Sequence, residues 1–186
     1  PRIWVSSDLH LGHDRDFIWG PRGFKSIYEM NEVIVENWNN TVGAFDDIYL
    51  LGDVLLGNSE ENIKYLKQLK GNIHITRGNH DSDNRIELYK KCWNVVEVNE
   101  GKFLNYHHYH FYLSHFPCLC SNQDSDKPLK QQMVSLAGHS HTKNKFKDMD
   151  KGLIYHVELD SHNNKPILLD TIIEDIKNYT KKGEKQ

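Results

Sequence analysis

The chain reads as an α/β protein whose two halves differ in texture. Three observations point to that class. The first half alternates short apolar runs with helix-period repeats, and the second half is rich in strand-like runs. Short blocks of His, Asp and Asn follow one strand after another, and loops at the carboxyl ends of strands are where α/β folds gather their sites.

Residues 2–6 form a short apolar strand running into Asp8. Residues 27–38 read as a helix, because Ile27, Met30, Ile34 and Trp38 recur on one face. Residues 47–51 are a second strand ending in Gly52-Asp53. Ser59 is placed to cap a helix with Ile63, Leu66 and Leu69 inward, closed by Gly71-Asn72. Residues 73–76 are a third strand and lead into Gly78-Asn79-His80-Asp81, followed by a short helix over 84–91. Residues 95–98, 103–106 and 111–114 then read as strands, the first two joined by a turn at 99–102. Residues 134–137 are another, ahead of Gly138. Residues 153–159 and 167–169 suggest a hairpin around 161–165, and 170–179 a closing helix before a Lys-rich, frayed tail. Residues 121–130, polar and containing Pro128, read as a surface loop. No repeat or linker interrupts the pattern, so residues 1–186 are expected to form one domain.

Composition narrows the function. A net charge of -3 argues against a broad nucleic-acid-binding surface. No apolar run approaches the ~20 residues that span a bilayer, and residues 1–7 lack a signal-peptide layout. Cys92, Cys118 and Cys120 make no disulfide framework and lack the spacing of a zinc site. They read as reduced, packing thiols, and the expected compartment is the cytoplasm.

The chemistry lies in five blocks. Asp8 and His10 flank one residue, and on an extended segment such positions point to the same side, so both could converge on one ion. A helix-capping Asp beside a solvent-facing His is the plainer reading. Asp53 follows Gly52, whose backbone freedom allows a tight strand exit; its two oxygens could bridge two ions, or simply cap a helix. Asn79 offers a neutral carbonyl ligand, and His80 beside it could donate a proton, with Asp81 orienting the ring. An Asn-rich turn would look alike. His115 ends a strand, and His139 and His141 repeat the alternate spacing after Gly138. Two imidazoles at that spacing favour ligation over a pair of loop histidines.

In this order, Asp8-x-His10, Gly52-Asp53, Gly78-Asn79-His80-Asp81, His115 and Gly138-His139-x-His141 resemble the calcineurin-like metallophosphoesterase superfamily. The resemblance implies two packed mixed β-sheets flanked by helices, a four-layer α-β-β-α sandwich. It implies that Asp8, His10 and His141 hold one metal, that Asn79, His115 and His139 hold another, and that Asp53 bridges them. His80 would be the general acid or a stabiliser of the transition state. Two metals sharing a carboxylate clamp a phosphoryl group and deliver hydroxide to it. Mixed nitrogen and oxygen ligands suit two divalent transition-metal ions, Mn first, with Fe, Zn or Ni as alternatives.

Around this constellation, His13 is a candidate substrate contact, and Arg22, Arg77 and Arg85 could each hold a phosphate through a planar donor fork or form ordinary salt bridges. The run His107-His108-Tyr109-His110 has no carboxylate close in sequence and reads as an edge or turn. Protein Ser/Thr phosphatases of the superfamily carry Gly-Asp-x-Val-Asp-Arg-Gly. Here Gly52-Asp53-Val54-Leu55-Leu56-Gly57-Asn58 lacks the Asp-Arg pair. The nuclease members are generally longer and carry a capping domain, for which these 186 residues are expected to leave little room. The resemblance therefore implies a small phosphodiesterase of bacterial or phage type, acting on a small phosphoester or nucleotide. A phosphomonoesterase and a non-catalytic binding scaffold of the same fold are the alternatives. Scaffolds can lack the His after Gly-Asn, and His80 is present.

Overall fold

The computed structural model describes residues 1–118, 132–147 and 153–183. The first sheet grows from a strand–helix alternation: β1 (Ile3–Ser6), α1 (Asp16–Trp19), α2 (Ile27–Thr41), β2 (Asp47–Leu50), α3 (Ser59–Gln68), β3 (Asn72–Thr76), α4 (Asp83–Lys90) and β4 (Val95–Asn99). These four strands are parallel and lie in sequence order, as helical crossovers require. The rest of the chain gives β5 (Lys102–Tyr106), β6 (Tyr109–Leu113), β7 (Met133–Ala137), β8 (Phe146–Lys147), β9 (Ile154–His156), a 3₁₀ turn (Leu159–Ser161), β10 (Ile167–Leu168) and α5 (Leu169–Gly183). The sheets have orders β10-β1-β2-β3-β4 and β5-β6-β7-β9-β8, and both are mixed.

Alternation along the parallel strands divides the core in two. Trp4, Ile48 and Leu50 face one way, packing with Met30, Ile34, Trp38, Leu66 and Tyr89 of α2–α4. Val5, Tyr49 and Leu51 face the other, packing with Phe111, Leu113, Leu136 and Tyr155 of the second sheet and with Ile172 and Ile176 of α5. A strand with both faces buried must be apolar at consecutive positions, which is why β1 and β2 read as continuous runs. The two packed mixed sheets with helices expected from the sequence are therefore the observed fold.

Three local expectations change. Asn58, not Ser59, caps α3, its side chain accepting from the Glu61 N–H at 3.3 Å. The turn at 99–102 joins no hairpin: β4 belongs to the first sheet and β5 to the second. Nor do the segments at 153–159 and 167–169 pair, since β9 lies between β7 and β8 whereas β10 lies antiparallel on β1. At both places the chain passes from one sheet to the other, and an alternating pattern looks the same in either. The histidine run is a turn as expected, with His107 and His108 at φ +47° and +68° closing the β5–β6 hairpin. The 121–130 loop, Cys120 and the final three residues lie outside the described residues. Cys92 and Cys118 are free thiols. Among the described residues no helix is long and apolar enough to cross a membrane.

Trp38 is fully buried in the helix-side core and donates from Nε1 to the Lys70 carbonyl at 2.9 Å. Trp38→Ala should cost about 3–5 kcal/mol of unfolding free energy, read from the urea midpoint of the metal-free protein.

Candidate metal centre

Every block sits just past the end of a strand: Asp8 and His10 after β1, Asp53 after β2, Asn79 and His80 after β3, His115 after β6, and His139 and His141 after β7. The geometry does not continue the strands. Asp8, His10, Asp53, His139 and His141 all have φ between +48° and +69°. Left-handed backbone is unfavourable for residues with a Cβ and concentrates at functional sites. The expected alternation on an extended segment is thus replaced by left-handed turns. Asp8 and His10 still converge, with His10 Nε2 3.5 Å from Asp8 Oδ1. His139 and His141 separate: His139 Nδ1 lies 3.0 Å from Asn79 Oδ1, and His141 Nε2 lies 3.5 Å from Asp8 Oδ1.

Two groups of donors result. In one, Asp8, His10 and His141 gather their ligand atoms. In the other, Asn79 Oδ1, His115 Nε2 and His139 Nδ1 lie within 2.8–3.2 Å of one another. Asp53 stands between them, Oδ2 3.5 Å from His10 Nε2 and 3.5 Å from His115 Nε2.

This donor set fits divalent cations. Asp8 Oδ1 and His10 Nε2 are buried without a hydrogen-bond partner, and a buried unsatisfied acceptor is costly. His115 Nδ1 faces the Leu51 carbonyl at 2.7 Å and must donate to it. The tautomer that makes this bond directs the Nε2 lone pair toward the Asn79 oxygen 2.8 Å away. Such an arrangement of acceptors is stabilised by a cation among them.

Charge reinforces the fit. Burial opposes ionisation of Asp8, but the imidazoles of His10, His115 and His141 beside it hold its carboxyl below the usual range. For Asp53, burial is likewise outweighed by His10, His115 and the His80 N–H, which hold it at about 2. Burial opposes protonation of His10, yet Asp53 and Asp8 raise its pKa. The centre therefore keeps its carboxylates charged and favours a cation in their midst.

The loops are fixed from outside by groups that the sequence reading placed elsewhere or passed over. Asp81 does not orient the His80 ring. It is buried, and its carboxylate accepts from the backbone N–H groups of Asp53 (2.8 Å), Val54 (3.2 Å) and Gly78 (2.8 Å) and from the Tyr89 hydroxyl (2.8 Å). Ser7 Oγ and the His139 N–H both donate to Asp8 Oδ2, which aims Oδ1 at the histidines. A Cβ at Gly138 would collide with Ser7 and Asp8, and one at Gly52 (φ +87°) with Gly78. These glycines let the loops close over the centre.

A cleft of about 480 Å³ opens above the centre. His10, Asp53, Asn79, His80, His139 and His141 form its polar part, while Phe17, Ile18 and Pro21 form an apolar wall. His80 is exposed at this opening, its ring 5.7 Å from that of His10, and its backbone N–H donates to Asp53 Oδ1. His13 lines the cleft. Its Nδ1 also lies 2.9 Å from His10 Nδ1, and partial burial beside His10 and His80 pushes its pKa down to about 4. Neutral His13 can accept from His10 Nδ1–H, leaving the His10 Nε2 lone pair directed inward.

The arginines do not meet the expectation. Arg22 is buried, donating to Asp160 and to the Asp8 and Leu9 carbonyls. Arg77 pairs with Asp83 and Glu100 in a separate surface cleft. Arg85 donates to the carbonyls of His80 and Gly57 and to Ser59. Among the described residues, the Lys or Arg in the cleft lining is Lys143, whose Nζ donates to the Pro21 carbonyl. No block or spacing marked Lys143, Phe17 or Asp160. Asp160 carried only the weak signal of an Asp beside a strand end.

Comparison with known proteins supplies the family. Residues 1–175 match the family model described as calcineurin-like phosphoesterase. The uncharacterized protein MJ1445 of Methanocaldococcus jannaschii is 29% identical over 179 residues, covering 93% of this chain and 90% of its own length. The Gene 66 protein of Mycobacterium phage D29 is 26% identical over 183 residues, covering 86% of this chain and 88% of its own. Among solved structures, AQ665 from Aquifex aeolicus, described as a protein of unknown function, superposes with a TM-score of 0.72 at 21% identity, covering 93% of this chain and 98% of its own. That last likeness speaks to the fold.

Asp81→Asn replaces one acceptor oxygen by a donor facing backbone N–H groups. It should destabilise the metal-free protein by about 1–3 kcal/mol, measured by urea unfolding. An unchanged midpoint would show that the loops are held by other means.

Proposed function

This chain belongs to the calcineurin-like phosphoesterase family and is a phosphate ester hydrolase, and from that premise we propose that it cleaves phosphodiesters of the nucleotide class at a two-metal centre. The observation that carries this reading is the position of Asp53 Oδ2, equidistant at 3.5 Å from a nitrogen of each donor group. Asp8, His10 and His141 would hold one ion, Asn79, His115 and His139 the other, and Asp53 both. Bound there, divalent ions such as Mn²⁺ supply Lewis acidity toward a phosphoryl oxygen and a nucleophile at neutral pH.

The chain's own residues do the rest. The centre lies at the polar end of the cleft, so a phosphate placed there directs its ester substituents outward. The wall of Phe17, Ile18 and Pro21 suits a flat or apolar substituent, and Phe17 is 66% exposed, leaving its ring available for stacking. Lys143 on the same wall offers a charge to the substrate's outer oxygens. A cleft of this size lies in the range that accepts a nucleotide-sized ligand. His80 stands at the mouth, with its backbone tied by Asp53 and Arg85. Its ring would give a proton to the departing alkoxide oxygen or stabilise its charge. The expected partner is thus a small phosphoester or nucleotide.

Hydrolysis of an aryl phosphodiester, cyclic nucleotides, dinucleotides and phosphomonoesters should be lost on chelation and restored by Mn²⁺. Asp53→Asn should abolish turnover and weaken metal binding throughout; near-normal turnover would sink the two-metal model. A rate independent of metal would argue against the reading as a whole, and preference for monoesters would overturn its diester part.

His80→Ala should leave metal content unchanged while turnover falls by roughly 10²–10⁴. Equal loss of metal, measured by elemental analysis, would place His80 among the ligands instead.

A further inference from the structure

The imidazoles of His10, His115 and His141 each have their second nitrogen engaged, and the three partners differ. His10 Nδ1 meets the His13 ring and His115 Nδ1 meets the Leu51 carbonyl. His141 Nδ1 meets a carboxylate, Asp160 Oδ2, at 3.1 Å. The Asp160 side chain is 5% exposed and belongs to none of the blocks that identify the family.

Asp160 also grips Arg22, whose side chain is fully buried. Arg22 Nε donates to Asp160 Oδ1 at 3.2 Å and Nη2 to Oδ2 at 3.0 Å. From the same guanidinium, Nη2 donates to the Asp8 carbonyl at 2.6 Å and Nη1 to the Leu9 carbonyl at 3.1 Å. One buried carboxylate thus links the His141 imidazole to the backbone that carries Asp8. Its neighbours tie the same loops: the Leu159 N–H donates to the Ser7 carbonyl, Ser161 Oγ to the Thr142 carbonyl, and the Thr142 N–H to Glu158 Oε1. This stretch is where the chain crosses from the second sheet to the first.

We propose that Asp160 is a positioning residue that fixes His141 as a ligand, by accepting from Nδ1–H so that the Nε2 lone pair faces Asp8 Oδ1, and that Arg22 serves it by locking the carboxylate to the Asp8 loop. The inference rests on the reading of Asp8, His10 and His141 as a metal site. A carboxylate behind a ligating imidazole fixes its tautomer and orientation and raises its basicity, and losing such a partner weakens metal affinity about 10–100-fold. Burial of both Asp160 and Arg22 removes the screening by water that makes exposed ion pairs weak. Asp160 touches no reacting atom; it acts through His141.

The test is a double-mutant cycle on Mn²⁺ affinity, with free Mn²⁺ followed by electron paramagnetic resonance during titration of the metal-free protein. D160N should weaken one Mn²⁺ by about 10–100-fold and leave the other within about twofold. In a protein that already carries H141A, D160N should change affinity by less than about twofold, because the residue it acts through is gone. A merely structural role predicts equal losses with and without His141, and that result, or unchanged binding in D160N, overturns the proposal. Near-UV circular dichroism of the metal-free variants reports folding. Should D160N fail to fold, D160E, which keeps the charge and displaces the oxygens by one carbon, is measured in the same cycle. Absence of Mn²⁺ binding to the unmodified protein overturns the metal reading, and this inference with it. Ordinary binding in D160N overturns this inference alone.

Discussion

The structure depends on bringing carboxylate oxygens and imidazole lone pairs together at one point between two sheets. Left to themselves these groups repel one another and lose their hydration. Asp53 Oδ2, 3.5 Å from His10 Nε2 and from His115 Nε2, is the centre of that crowding. The unpartnered Asp8 Oδ1 and His10 Nε2 are its residue. A cation among these atoms would resolve the conflict. The same crowding raises the pKa of His10, because Asp53 and Asp8 outweigh its burial.

Holding such a centre open requires rigidity around it. Five site residues adopt left-handed backbone, a conformation costing of order 1–3 kcal/mol each when strained. The surroundings offset this with buried hydrogen bonds at backbone level. Asp81 gathers three N–H groups from two loops, and Asp8 spends one oxygen on Ser7 and His139 so that the other points inward. The parallel strands then set the loops side by side, since β1, β2 and β3 end in neighbouring register.

The second sheet also contributes to the centre. His115, His139 and His141 follow its strands β6 and β7, and the shared core of Val5, Tyr49, Leu51, Phe111, Leu136 and Tyr155 presses the sheets together. Where the chain returns to the first sheet, Asp160 and Arg22 fasten His141 to the Asp8 loop. A crossing between sheets is thus also a strut of the site.

The sequence by itself determined the family, the strand–helix alternation, the α2 face of Ile27, Met30, Ile34 and Trp38, and the candidate site blocks that the fold brings together. Local period and block order are written in consecutive residues, so they can be read there. Tertiary structure alone decided which strands share a sheet, so that the apparent hairpins at 99–102 and 161–165 became crossings. It alone gave Asp81 to the backbone of neighbouring loops, and took Arg22 from the substrate and gave it to Asp160, 138 positions away. The physical reason is that an arginine beside a site has the same local sequence whether its donors meet a phosphate or a buried carboxylate. Only the packing of distant segments fixes which acceptor it meets.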